Sequence, residues 1–218
     1  MSNDFVPNPA SLRAGAYSFL ASIYLGAPAK KLITELLRKR PFSIESQGMK
    51  ILNEFLSQNK LTSPELLEKL VTEHVRLFGG VSPGFGPLPP YESIWRGEGR
   101  VMSSVTTKVL QAYDEADVEP TTRLAEPPDH VGLELGFLSY LCNRENDARR
   151  NNDPKCAAKC MHMEYEFLRD HILEWVPIFC DQIAENDRTG FYRAIAILTK
   201  EFILADGEEI LEQMRKYH

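Results

Sequence analysis

At 218 residues, with 43% hydrophobic and 26% charged side chains, the chain has an ordinary globular composition and is long enough to bury a core unaided. No uncharged apolar run approaches the ~18–20 residues of a membrane span, and no basic segment at the N-terminus leads into an apolar one. A cytoplasmic protein is therefore expected. The formal net charge of −6, from 25 Lys+Arg against 31 Asp+Glu, lacks the basic footprint of a nucleic-acid binder and suits cationic partners better.

Apolar residues recur at three- and four-residue spacing almost throughout, without strand-like alternation, which predicts an all-α bundle of eight to ten helices in a single domain over residues 1–218. Asn8 and Pro9 offer a cap and a first-turn proline, so a first helix is expected from about Pro9 to Leu25, before Gly26. Leu32, Ile33, Leu36 and Leu37 suggest a second helix closed before Pro41, and Met49, Leu52, Phe55 and Leu56 a third. Ser63-Pro64-Glu65 opens a fourth, carrying Leu67, Leu70, Val71, Val75 and Phe78.

Between 79 and 100 glycine and proline make regular structure improbable, and an irregular loop is expected. Its large groups Phe85, Leu88, Tyr91 and Trp95 distinguish it from a solvated spacer and suggest packing against the body. Helix resumes at Val105, Val109, Leu110 and Tyr113. After a second polar loop, Glu126-Pro127-Pro128-Asp129-His130 leads into a segment from Val131 to Cys142 that is apolar on nearly every face. That segment is expected at the centre of the bundle, with Gly132 and Gly136 permitting close backbone approach and Asp129 as its cap. Pro154 should open a long helix that Pro177 ends or kinks. A further helix through Phe191, Ile195, Leu198 and Phe202 and a short final one from Glu208 to Lys216 complete the reading.

Three groups of residues could carry chemistry. Asp129-His130 could act as an acid/base pair, since a carboxylate raises the basicity of a neighbouring imidazole. Consecutive helical side chains point roughly 100° apart, however, and no nucleophile accompanies them, so a capping aspartate beside a first-turn histidine is the alternative. Cys156 and Cys160 share a helical face, with His162 nearby and Cys142 and His171 elsewhere, but lack the second well-spaced pair of a metal site. No metal or cofactor is expected, and the four cysteines (Cys142, Cys156, Cys160, Cys180) should be free thiols. Tyr91 and Trp95, flanking Glu92 and Ser93, could plug a core edge or serve recognition. Gly79-Gly80 and Gly84-Phe85-Gly86 lack the Gly-Lys-Ser/Thr of a P-loop.

Leu77-Phe78 at a helix end, the loop Pro89-Pro90-Tyr91-Glu92-Ser93-Ile94-Trp95 and the element Glu126-Pro127-Pro128-Asp129-His130 together resemble the TorD/DmsD family of chaperones, the redox enzyme maturation proteins. The resemblance continues through 167–175 and 191–194. It implies a cytoplasmic chaperone, not an enzyme, that binds the twin-arginine signal peptide of a molybdopterin-containing oxidoreductase subunit and assists cofactor insertion and export proofreading. It assigns peptide binding to Asp129, His130, Glu126 and Pro128, to Tyr91, Ser93 and Trp95, and to Leu77, Phe78 and Tyr24. Where the family has an aromatic residue upstream of Leu-Phe, this chain has His74. The family contains monomers and domain-swapped dimers, and these residues do not predict the GTP binding associated with some members. Competing readings are a hydrolase using Asp129-His130 and a structural assembly subunit of a respiratory complex. The chemistry of the peptide, two guanidinium groups before an apolar stretch, calls for carboxylates beside a greasy groove.

Overall fold

A computed structural model describes residues 9–29, 46–59, 63–79, 88–99, 102–118 and 126–216. Among them the helices are α1 (Pro9–Leu25), α2 (Gln47–Gln58), α3 (Pro64–Phe78), α4 (Glu92–Trp95), α5 (Ser104–Glu115), α6 (Val131–Arg150), α7 (Pro154–Phe167), α8 (Leu173–Asn186) and α9 (Phe191–Lys216). A π-helical turn, Leu168–Ile172, joins α7 to α8 without a break. The helix expected near Leu32–Leu37, the Asn8 cap and Phe85 lie outside the described residues.

Helix starts follow local chemistry. Ser46 and Ser63 accept hydrogen bonds from the Met49 and Leu66 amides, Ser103 and Thr106 cap α5 reciprocally, and Asp153 accepts from the Cys156 amide. The α2 N-terminus receives a second carboxylate from across the fold: Gln47 and Gly48 donate their amides to Glu201 on α9, each at 3.0 Å.

Helix α6 lies at the centre, packed along α1 on one side and α7 on the other, while α9 packs against α8 and α2. Gly132 sits where a Cβ would come within 2.5 Å of Leu25, so glycine is required for the close approach to α1. Gly136 has open space around it, and the role expected for it there does not hold.

Two further expectations are corrected. Pro177 does not end its helix; it lies inside α8, which continues to Asn186. The π turn lies immediately upstream of α8, where the Leu173 amide reaches back to the Leu168 carbonyl. Residues 191–216 form one helix rather than two. Asp206, which could have broken it by competing for backbone donors, instead spends its carboxylate on the Arg13 and Tyr17 side chains.

A buried ion cluster ties these helices together. Arg13 of α1, only 6% exposed, donates to Glu145 of α6, Glu164 of α7 and Asp206 of α9. One guanidinium thus holds carboxylates from three helices.

Candidate peptide-binding site

The site is built where the chain before α4 meets the turn before α6. Tyr91 and His130 form an isolated antiparallel bridge. Around it the Glu92 amide donates to the Asp129 carbonyl at 2.9 Å, and the Val131 amide donates to the Pro90 carbonyl at 2.8 Å. Two proline-rich segments that cannot enter regular structure thereby satisfy each other's backbone groups.

Asp129 is fully buried, and its Oδ2 accepts from the Ser93 amide at 3.1 Å. It therefore caps α4 from across the fold and not α6, as was expected. The N-cap of α6 is His130, whose Nδ1 accepts from the Gly132 amide at 3.0 Å. Asp129 and His130 thus turn to different helices, and the acid/base pair does not form. The capping also explains why residues 92–95 are helical inside a stretch expected to be irregular. Burial pushes His130 down to about 4, so the ring is neutral near pH 7 and free to act as an acceptor.

The remaining predicted residues divide by exposure. Tyr91 donates its hydroxyl to Glu126 at 2.7 Å and meets the His130 ring edge-on; both Tyr91 and Glu126 are half-buried. The Pro128 carbonyl accepts from the Tyr113 hydroxyl, and the Trp95 indole donates to the Pro89 carbonyl at 2.7 Å. Half-buried Trp95 stacks on Trp175 and meets Phe179 edge-on. Phe179 in turn contacts Phe78 and Tyr24, so the aromatic loop and the end of α3 share one cluster. Leu77, Tyr24 and Ser93 are almost fully buried, and Phe78 is nearly so. These four form the floor of the site, and its accessible part is Tyr91, Glu126, Pro128 and Trp95. Tyr91 and Trp95 each plug the core edge with one side and leave the other reachable.

His74 belongs to this cluster, edge-on to Phe78 at 5.0 Å and 6.0 Å from Tyr192. Burial lowers its pKa, while hydrogen bonds to the Tyr24 and Ile23 backbone oppose that shift. It therefore fills the aromatic position as a neutral ring.

Four contributors were not singled out from the sequence. Glu92 is fully buried; its Oε1 accepts from Arg96 at 2.8 Å and its Oε2 pairs with His171 Nδ1 at 2.9 Å. Glu134, also fully buried, accepts from the Trp175 indole. Burial, then the neighbouring Glu92 and Asp129, push Glu134 well above the usual carboxylate range. A lone glutamate in the otherwise uncharged stretch from Val131 to Cys142 was the available signal for Glu134. The i,i+4 spacing was the signal for Glu92 and Arg96. His171 was noted only beside the cysteines and within 167–175; its pairing with Glu92 joins residues far apart in sequence.

The cysteines are free; Cys142, Cys160 and Cys180 are buried and Cys156 is half-buried. Burial raises the Cys160 thiol to about 11, with Cys156 adding to the shift, and pushes Cys180 up as well. These thiols are poor nucleophiles.

Residues 45–181 match the family model described as nitrate reductase delta subunit. The chaperone protein TorD of Vibrio cholerae is 26% identical over 129 residues, covering 59% of this chain and 57% of that protein. The Haemophilus influenzae protein described as a probable Tat proofreading chaperone DmsD is 29% identical over 135 residues, covering 61% and 58% respectively. The matched regions thus span less than two thirds of these relatives. The fold is also that of an Archaeoglobus fulgidus protein described as a redox enzyme maturation protein, with a TM-score of 0.54 at 19% identity over 93% of this chain and 99% of that one. The family match covers more than half of the chain, including both segments that build the site, and the chain belongs to the TorD/DmsD family.

Proposed function

We propose that this protein is a chaperone for a redox enzyme subunit and binds that subunit's twin-arginine leader at the α4–α6 junction. The observation that carries the reading is the docking of Tyr91–Trp95 onto Glu126–His130 as one unit, with aromatic and carboxylate groups at its surface and a sealed aromatic floor beneath. Guanidinium groups suit the Glu126 side, and an apolar stretch suits Pro128 and Trp95. The relatives named TorD and DmsD support the same class of partner. The divergence of Asp129 and His130 onto separate amides weighs against a hydrolase. Among the described residues no helix is long and apolar enough to cross a membrane. A molybdopterin-containing oxidoreductase subunit awaiting cofactor insertion is the proposed client. A tagged-protein pull-down from the source organism should recover one such subunit in precursor form. Recovery of a mature multi-subunit complex would instead favour the assembly-subunit reading.

A further inference from the structure

Cys156 and Cys160 stand one turn apart on the same face of α7, a spacing that sets their Cβ atoms about 5–6 Å apart. Their exposure differs. Cys156 is half-buried, whereas Cys160 is only 2% exposed. Cys142 and Cys180 are enclosed in the core, so Cys156 is the thiol within reach of a solute. Arg144 of α6 lies beside the pair, held by the Ala116 carbonyl at 2.8 Å and stacked on the Tyr140 ring. Its guanidinium interacts with both sulfurs, so a thiolate formed at either one has a fixed cation next to it. Cys156 also occupies the first turn of α7, where Asp153 caps its amide and the helix dipole favours negative charge. An accessible thiol in a positive setting, with a second thiol one turn away, is the arrangement of a redox-active dithiol.

We propose that Cys156 and Cys160 form a dithiol switch that small-molecule disulfides oxidise and that opens the first turn of α7. The Cys156 thiolate attacks one sulfur of glutathione disulfide, forms a mixed disulfide and releases one glutathione. Cys160 then attacks the Cys156 sulfur and expels the second glutathione. The protein gives up two hydrogens, both cysteine protons end on the two glutathiones, and the oxidant's sulfur–sulfur bond is exchanged for one within the chain. Burial, then the neighbouring Cys156, hold the Cys160 thiol up at about 11; capping Cys156 as a mixed disulfide removes the second cause at the stage when Cys160 must react. A disulfide brings its Cβ atoms to about 3.5–4.5 Å, closer than a helical turn sets them, so the bridge forms with opening of the 154–160 turn.

The test treats the full chain with glutathione disulfide, unfolds it, alkylates the remaining thiols and maps the peptides by mass spectrometry. The expected product is a Cys156–Cys160 bridge with Cys142 and Cys180 alkylated, reversed by dithiothreitol and accompanied by roughly tenfold faster hydrogen exchange over 154–160. Cys160→Ala should stop at the glutathione adduct on Cys156, and Cys156→Ser should not react. Four alkylated cysteines in wild type, or an adduct that persists there on Cys156, overturns the switch. A bridge with unchanged exchange over 154–160 overturns it equally. The wild-type product decides the matter even where a variant fails to fold, and no outcome bears on the chaperone reading.

Discussion

Asp129 and His130 are adjacent in sequence yet serve different helices, and that division makes their roles separable. Asn at 129 keeps an oxygen acceptor for the Ser93 amide and removes the charge, whereas Ala removes both. Asp129→Asn should therefore melt within a few degrees of wild type but bind leader more weakly. Asp129→Ala should lose stability as well, at ~1 kcal/mol for the cap. Equal leader affinity of Asp129→Asn and wild type would reduce Asp129 to a cap. At His130 the titration has a definite sign. Its folded pKa of about 4 lies below the ordinary value of 6.5, so its contribution to stability is complete above pH 6.5 and is lost as the pH falls toward 4. His130→Asn keeps a capping acceptor and removes the titration; its stability should fall less between pH 6.5 and 4.5 than that of wild type, measured by urea denaturation at each pH.

At the level of elements, the helices beginning with Ser63-Pro64 and Asp153-Pro154 were legible because cap and first-turn proline are local signals. The continuity of α9 was not, because it depends on a partner distant in sequence, Arg13, which takes up the Asp206 carboxylate. The site divided in the same way. The aromatic loop and the Glu126–His130 turn stood out by composition, but the capping of α4 by Asp129 required knowing that 93 and 129 meet. Gly48 gives a test of such long-range dependence. A Cβ there would lie 2.4 Å from the Leu198 amide nitrogen, against backbone that cannot yield. Gly48→Ala, a favourable change in an isolated helix, should instead destabilise the protein by about 1–3 kcal/mol in chemical denaturation. A stabilised variant would contradict the α2–α9 packing.

For the whole molecule, the Arg13 cluster joins α1, α6, α7 and α9, and its removal leaves buried carboxylates without their cation. Arg13→Met should cost about 3–5 kcal/mol, on the order of 10 °C in Tm, far beyond a surface ion pair. The cluster also sets a pH dependence opposite to that of His130. Burial raises Glu164 to about 7 against the pull of Arg13, so the fold holds that proton more tightly than the unfolded chain does. Its contribution is complete below about pH 4.5 and declines as the pH rises through 7. Glu164→Gln should therefore remove the decline between pH 5 and 7.5 and leave the acid limb to the histidines. Neither slope bears on the client, which is tested by binding itself. The most direct measurement is calorimetry of the full chain with a synthetic twin-arginine leader, beside Lys-Lys and scrambled versions of the same peptide. Micromolar binding of the Arg-Arg peptide, on the order of −8 kcal/mol and weakened by salt, is expected, with at least tenfold loss for Lys-Lys because ammonium groups cannot make paired contacts to a carboxylate. Equal heats from all three peptides would contradict the account.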